Sequence, residues 1–381
     1  MPSMVADFSN SLNKLNLPAF RNVLLIQLGD IGDVVLTTPA IRAVKECYPE
    51  ALVSILVRKP FGNLLAADPN LFKIVEASKV IGSLLSRLRE HAMFIWRLRQ
   101  THYDLVIDLR TGDHGAILSF LTGAPMRVGS PGSKKQFWRK FVFTNILENI
   151  KAASPPVHPG ADQSLRIVRG IGIDTADTLP RLFISARDQA RAKELLDECK
   201  LASGMRWITI NPYSRWKYKE WSNAKWGEVI DLLWKTYHIP AVLIGSPNEA
   251  AGCQEIAAGR EGRAFSLAGK TTLGELAAVI SMSSLHLGVD SAASHIAAAL
   301  GTPTVTIHGP TDWRAWRIVN DRHRVVSSEM DCIPCSMMGC NGSGKSQCLD
   351  ELGVETVAGA ALDILNTIAF SEQSQNLSAD H

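Results

Sequence analysis

Short apolar runs of strand length alternate with stretches of helical periodicity along almost the whole chain, and that rhythm leaves few folds open. Runs of Val, Ile and Leu without polar alternation suit strands covered on both faces, and an intervening helix supplies the crossover that parallel strands require. Candidate strands fall at 22–28, 52–57, 73–76, 105–109 and 127–128, then at 207–211, 241–245, 265–267, 285–289 and 304–307. Candidate helices fall at 40–47, 84–100, 164–170, 188–199, 224–237, 273–283, 292–300 and 356–368. The pattern predicts α/β architecture with parallel sheets covered by helices, in two domains. The boundary is expected near residue 185, because the turn-rich segment 170–180 precedes a new strand and helix series. A chain of 381 residues, 46% of them hydrophobic, is long enough for two such cores.

Charge is unevenly spread. Residues 1–185 hold 22 Lys and Arg against 15 Asp and Glu, near +7, and the remainder holds 18 against 22, near −4. Between Asp113 and Glu148 there is no acidic residue, and the interval carries Arg127, Lys134, Lys135, Arg139 and Lys140 around Phe137 and Trp138. Such a mixture suits phosphorylated sugars and lipid headgroups. No recognised nucleic-acid module accompanies it, so nucleic acid is not an expected partner. No apolar run approaches the roughly 20 residues of a membrane-spanning helix, and residues 1–20 lack the layout of a secretory signal. A cytoplasmic protein is expected.

Two segments concentrate the chemistry. The strand Leu287-Gly288-Val289 runs into Asp290, and Ser291, Ala292 and Ala293 then open a helix. Unpaired N–H groups and the positive helix end converge there, which suits a phosphate. A second strand follows and ends in the turn His308-Gly309-Pro310-Thr311-Asp312. At the other end of the chain, Gln27-Leu28-Gly29-Asp30-Ile31-Gly32-Asp33 closes the first strand. Two glycines three apart allow a sharp turn close to a ligand, but the spacing is not the GxGxxG dinucleotide fingerprint, so an NAD oxidoreductase is disfavoured. An aspartate in such a loop serves either as a helix cap or as a base.

These segments together resemble the heptosyltransferases of glycosyltransferase family nine, most strongly over 23–45 and 285–312 and least before residue 20 and across 130–160. The resemblance implies the GT-B fold, two Rossmann-like domains facing a central cleft. It implies an acceptor-binding domain at 1–185, a nucleotide-sugar domain at 186–355, and a helix in 356–381 packing back on the first domain. The implied reaction moves heptose from ADP-heptose to the lipopolysaccharide inner core with inversion, without a cofactor, by a monomer peripheral to the inner membrane.

Residue by residue, Gly32-Asp33 followed by Thr37-Thr38-Pro39 matches the family's general base, so Asp33 takes that role and Asp30 is read as a capping residue. A base must lie within hydrogen-bond reach of the acceptor hydroxyl, in a cleft that desolvates it. Departure of a nucleoside diphosphate calls for fixed dipoles and a cation. Ser291, Ala292 and Ala293 supply the amides, and Lys219, followed by Glu220-Trp221, matches the phosphate-binding lysine, with Ser214 in the same loop and Arg215 and Lys217 as alternatives. Glu249, in the turn after Ile244-Gly245, is expected at the ribose, or as a first-turn helix acid, and Asp290 at the sugar or as a cap. Arg58, Arg127, Lys134 and Lys135 are the expected acceptor contacts. No Asp-x-Asp pair occurs, which removes the metal-chelating signature of the GT-A fold and leaves catalysis without a metal.

One stretch invites a different reading. Residues 339–346, Gly-Cys-Asn-Gly-Ser-Gly-Lys-Ser, fit the P-loop pattern GxxxxGK[ST] and so suggest a kinase or ATPase. That chemistry needs a buried strand before the loop and a helix after it, and Asp331 to Met338 does not read as a strand. The same region holds Cys332, Cys335, Cys340 and Cys348, whose spacing departs from paired CxxC, so structural zinc, free thiols and a disulfide all stay open. Two further alternatives are a non-catalytic binding module and a transferase of the same fold using another sugar nucleotide.

Overall fold

A computed structural model describes residues 19–78, 81–133, 136–147, 158–201, 204–317 and 319–379. The chain forms two compact units, Met1–Phe183 and Ile184–His381. In the first, the elements run β1 (Asn22–Gln27), α1 (Ile31–Leu36), α2 (Thr38–Cys47), β2 (Leu52–Arg58), β3 (Lys73–Ala77), α3 (Leu84–Gln100) and β4 (Leu105–Asp108). They continue with α4 (Asp113–Leu121), β5 (Met126–Gly129), α5 (Arg139–Val142), β6 (Asn145–Ile146) and α6 (Pro159–Arg169). The sheet order is β3-β2-β1-β4-β5-β6 and every pairing is parallel. The Val, Leu and Ile residues of central β1 and β4 have no solvent contact, as a parallel sheet covered on both faces demands.

The second unit repeats the plan. Its elements are α7 (Ala186–Glu198), β7 (Ile208–Asn211), α8 (Asn223–Tyr237), β8 (Ala241–Leu243), α9 (Ala250–Ala257), β9 (Ala264–Ser266) and α10 (Leu273–Met282). Then come β10 (Leu285–Val289), α11 (Ala292–Ala299), β11 (Thr304–Ile307), β12 (His323–Val326), α12 (Gln347–Glu351) and α13 (Val354–Ala379). The all-parallel order is β12-β11-β10-β7-β8-β9. Counted from its own first strand, each sheet reads 3-2-1-4-5-6, the Rossmann order, and its chain direction reverses between the first and fourth strands. In such sheets ligands bind at that reversal, beyond the carboxyl ends of the strands. The fold is therefore the two-Rossmann architecture expected of the GT-B class.

Several elements differ from the sequence-based expectation. Strand β6 is only two residues and β12 carries His and Arg, so neither edge strand shows an apolar run. Helix α1 lies inside what reads as a glycine loop. The last helix has its place within the second unit: Val357, Ala361, Ile364 and Leu365 belong to that unit's core, and the helix packs on α8 and on β10 to β12. Its apolar face matches the stripe of α8 that includes Val229 and Leu233, both in the same core. None of the described helices is long and apolar enough to cross a membrane.

Candidate active site

At the reversal point of the first sheet, Asp30 is the N-cap of α1 and Asp33 its third residue. The Asp30 N–H donates to Asp33 Oδ2 at 2.7 Å, and Arg110, two residues beyond β4, pairs with the same oxygen at 2.5 Å. The ion pair thus crosses from the end of β1 to the end of β4. Gly29 makes this crossing feasible, since a Cβ there would stand 2.3 Å from Asp33 Oδ2 and 2.5 Å from the Arg110 guanidinium. Beneath the pair, Gln27 donates to Thr37 Oγ1 at 2.6 Å, Thr37 donates to the Asp33 carbonyl at 2.8 Å, and Ser164 Oγ lies 3.0 Å from the same hydroxyl. The backbone under Asp33 is held from three sides.

Asp33 and Arg110 line a cavity of ≈ 300 Å³ together with Thr111, Ser130, Gln163, Ser164 and Arg166, among others. Its floor comes from α6 and its wall from the loop after β4. That loop is fastened by Arg139, a fully buried guanidinium that donates to the carbonyls of Ser130 (2.9 Å), Gly112 (2.8 Å) and Arg110 (3.1 Å) and to Asp108 Oδ2 (3.1 Å). Burial pushes the Asp108 carboxyl up to about 7, against the pull of Arg139. Arg139 belongs to the basic interval noted in the sequence, but it is a structural cation rather than a surface one.

The expected acceptor contacts divide. Arg58 donates to the Leu28 carbonyl at 2.6 Å and lies 3.4 Å from Asp30, so it stands at the loop that carries Asp33. Arg127 donates to the carbonyls of Val142 (2.7 Å) and Ala124 (2.5 Å), rests over the Phe120 ring and is not among the residues lining the cavity. Lys134 and Lys135 lie outside the described residues.

The second unit places its chemistry at the matching point. Lys219 Nζ, on the loop after β7, pairs with Asp290 Oδ2 at 2.7 Å, just past β10. Thr311 donates to the same oxygen at 2.8 Å, and the Arg317 guanidinium reaches Oδ1 at 3.5 Å. Burial raises the Asp290 carboxyl, but His308, Arg317 and Lys219 around it outweigh this and hold it well below the usual carboxylate range. His308 is itself pushed down to about 3, by burial first, despite Asp290. It is neutral near pH 7, and its Nε2 accepts from Arg317 Nε at 2.8 Å. The cluster of Lys219, Arg317 and Asp290 thus keeps one net positive charge beside the reversal point. Arg317, Thr311 and Asn211 went unassigned in the sequence.

Ser291 stands at the N-cap of α11, but its side chain makes no capping hydrogen bond. Its hydroxyl turns instead to Asn211 Oδ1 at 2.6 Å, and Ser291 and Ala292 are only half-buried while Ala293 is buried. The first amides of the helix are therefore not covered by their own cap. Ser214 Oγ donates to the Asp290 carbonyl at 3.4 Å, which brings the loop after β7 against the same spot. Glu249 accepts from the Ser246 N–H at 2.6 Å in a capping box at the turn after β8. Lys217 points to Glu220 at 3.0 Å and takes no part in the Asp290 cluster.

The P-loop pattern lacks its context. Residues 327–339 contain no strand, Cys340–Gly342 is a short 3₁₀ turn, and Lys345 is exposed. A nucleotide site of that type is ruled out by the absence of a strand feeding the loop. Instead the segment braces the second unit: Ser346 donates to the Tyr218 carbonyl at 2.6 Å and the Ser336 N–H to the Pro310 carbonyl at 2.7 Å. These bonds join the turn before Lys219 to the turn before Thr311. Ser346→Ala is expected to lower stability by about 1 kcal/mol, read as a lower denaturant midpoint at unchanged slope. The seven cysteines are free, and among the described residues no three His, Cys, Asp or Glu side chains are placed to hold a metal ion.

Comparison with known proteins places these features in a wider set. Residues 92–345 match the model of the family described as glycosyltransferase family 9 (heptosyltransferase). Lipopolysaccharide heptosyltransferase 3 of Escherichia coli is 30% identical over 294 residues, 75% of this chain and 83% of that one. Among solved structures, the glycosyl transferase family 9 protein of Veillonella parvula superposes with a TM-score of 0.74 at 21% identity, covering 91% of this chain and 97% of that one. E. coli heptosyltransferase WaaC, solved with ADP-2-deoxy-2-fluoro heptose, gives a TM-score of 0.65 at 19% identity, covering 91% and 99%.

Proposed function

Since the chain belongs to glycosyltransferase family 9 and is a glycosyltransferase, we propose that it transfers heptose from ADP-heptose to a sugar of the lipopolysaccharide inner core, at the inner membrane surface. The observation that carries this reading is the pair of matched ion pairs, Asp33 with Arg110 and Asp290 with Lys219, one at each sheet's reversal point. In it the first unit, up to about residue 185, receives the acceptor, and the second, over 186–355, receives the nucleotide sugar.

Asp33 takes the proton of the acceptor hydroxyl as that oxygen attacks the anomeric carbon and the bond to the ADP oxygen breaks, which inverts the centre. One Asp33 oxygen is fixed by Arg110 and the Asp30 N–H, and no donor among the described residues reaches the other. The cavity beside it offers Arg110 and Arg166, with Arg58 on the loop that carries Asp33, to an acceptor bearing carboxylate or phosphate groups. Charge that builds on the departing diphosphate is met by Lys219 and by the amides of Ser291, Ala292 and Ala293, so the step runs without a metal. Asp290 steers Lys219, and Arg317 and Thr311 steer Asp290. Glu249 and Ser214 border the nucleoside side.

A thermal-shift series with ADP, UDP, GDP and NAD tests the donor assignment. ADP alone is expected to raise the melting temperature, since a ligand at 100 times its dissociation constant adds about 2.7 kcal/mol to stability. Selective stabilisation by UDP or GDP would redirect the reading to another sugar nucleotide, and no turnover with any donor would leave a binding module.

A further inference from the structure

Helix α3 is anomalous for a helix of a packed domain. Of its 17 residues only Leu98 is buried, with Phe94 packed beside it on the core side. Leu84, Leu85, Leu88 and Trp96 stand in solvent, Leu85 at 79%, Leu88 at 59% and Trp96 at 61% exposure, with Leu85 and Trp96 on the side away from Leu98 and Ile81 preceding the helix. Exposed Arg87, Arg89, Arg97 and Arg99 accompany this stripe against one Glu90. No carboxylate among the described residues pairs with Arg87, Arg89 or Arg97.

The apolar surface does not stop at this helix. Helix α3 contacts α4, and α4 contacts α5. Ile117 and Phe120 of α4 and Phe141 of α5, with Phe137 just before it, are exposed as well. Two of these rings carry a cation over their face, Arg127 over Phe120 at 5.8 Å and Lys140 over Phe141 at 5.2 Å. An apolar stripe with an aromatic at its rim and arginines alongside is the layout of a helix lying in a membrane interface. A protein partner is served equally by the leucines, but the unpaired cations and the cation-covered rings favour anionic headgroups beside an acyl layer. The same three helices frame the acceptor side: α4 follows directly on the Arg110 loop, and Arg139 of α5 fastens that loop.

We propose that α3, with the adjoining faces of α4 and α5, is the surface by which the first unit docks on an anionic phospholipid layer, its leucines and Trp96 entering the acyl boundary and its arginines meeting lipid phosphates. This rests on the reading that the acceptor is anchored in a membrane. It assigns the contact to residues outside the catalytic machinery.

The test is flotation of the full chain with phosphatidylethanolamine vesicles, with and without phosphatidylglycerol. The wild-type chain floats with the anionic vesicles. The Leu85→Glu/Leu88→Glu variant loses on the order of tenfold or more of that binding, since charge replaces buried apolar area. Arg89→Glu/Arg97→Glu loses binding to anionic vesicles while leaving the stripe intact. Both changes are at exposed positions, so circular dichroism and melting temperature stay unchanged. Vesicle binding that is absent, or indifferent to either variant, overturns the proposal, as does a dimer in light scattering that Leu88→Glu disperses. Turnover separates this failure from failure of the assigned reaction. With a deacylated, water-soluble core acceptor the Leu85→Glu/Leu88→Glu variant keeps wild-type kcat/KM, whereas with vesicle-embedded acceptor its rate falls. Helix-dependent vesicle binding without heptose transfer would sink the reaction and keep the surface.

Discussion

Asp33→Asn is expected to lower kcat by about 10²- to 10⁴-fold, the contribution of a positioned general base, while the ADP-induced rise in melting temperature stays intact. Asn keeps the shape of the side chain and can still accept from the Asp30 N–H, so the capping position survives. What it loses is the capacity to take a proton and the charge that pairs with Arg110. Two readouts distinguish the roles. Loss of kcat with unchanged ADP binding and a near-wild-type melting temperature marks a base. A fall in melting temperature with a modest change in rate marks a cap, and that result would remove Asp33 from the mechanism.

Lys219→Ala is expected to cost about 10²- to 10³-fold in kcat/KM, comparable with removing one electrostatic donor to a developing anion. In this case ADP binding is expected to weaken too, because in the proposed mechanism the ammonium meets the diphosphate before and after bond cleavage. The structure adds a second cost. Asp290 is held ionised in a buried cluster by three neighbours, and removing Lys219 leaves Arg317 and Thr311 as its remaining donors, with His308 neutral. Lys219→Arg keeps the charge but alters its reach, so partial rescue of ADP binding is expected alongside a lower kcat. Wild-type kcat/KM in Lys219→Ala, with Lys217→Ala impaired instead, would move the cation to the neighbouring position. Isothermal titration with ADP and initial rates on both variants decide between them.

The two-sheet fold was open to reading because its central strands are uninterrupted apolar runs, and burial on both faces leaves no other way to use Leu24 to Ile26 or Leu105 to Ile107. Edge strands β6 and β12 were hidden because half-exposed strands of two and four residues need no apolar pattern. At the candidate sites, Asp33, Lys219 and Asp290 were picked out through the family resemblance, each from a distinctive local string, and the structure pairs Asp33 with Arg110 and Lys219 with Asp290. Arg110 and Arg317 were not, because their significance is purely spatial: one crosses between strands β1 and β4, and the other folds back from beyond β11. The rule that ligands gather past the first and fourth strands of a Rossmann sheet would have singled out Arg110 from its place after β4. Arg139 shows the opposite error, a cation counted with the surface that turns out to be the clasp of a loop. Helix α3 was predicted as a helix, but its orientation, apolar stripe outward, is something a periodicity cannot say.

Among the described residues, those that line the cavity next to Asp33 belong to the first unit, and those of the Asp290 cluster belong to the second. In the proposed reading, exchanging the stretch that follows β4 is expected to retune which alcohol is accepted and to leave nucleotide choice alone, much as a tool with two independent grips keeps one handle when the other is replaced.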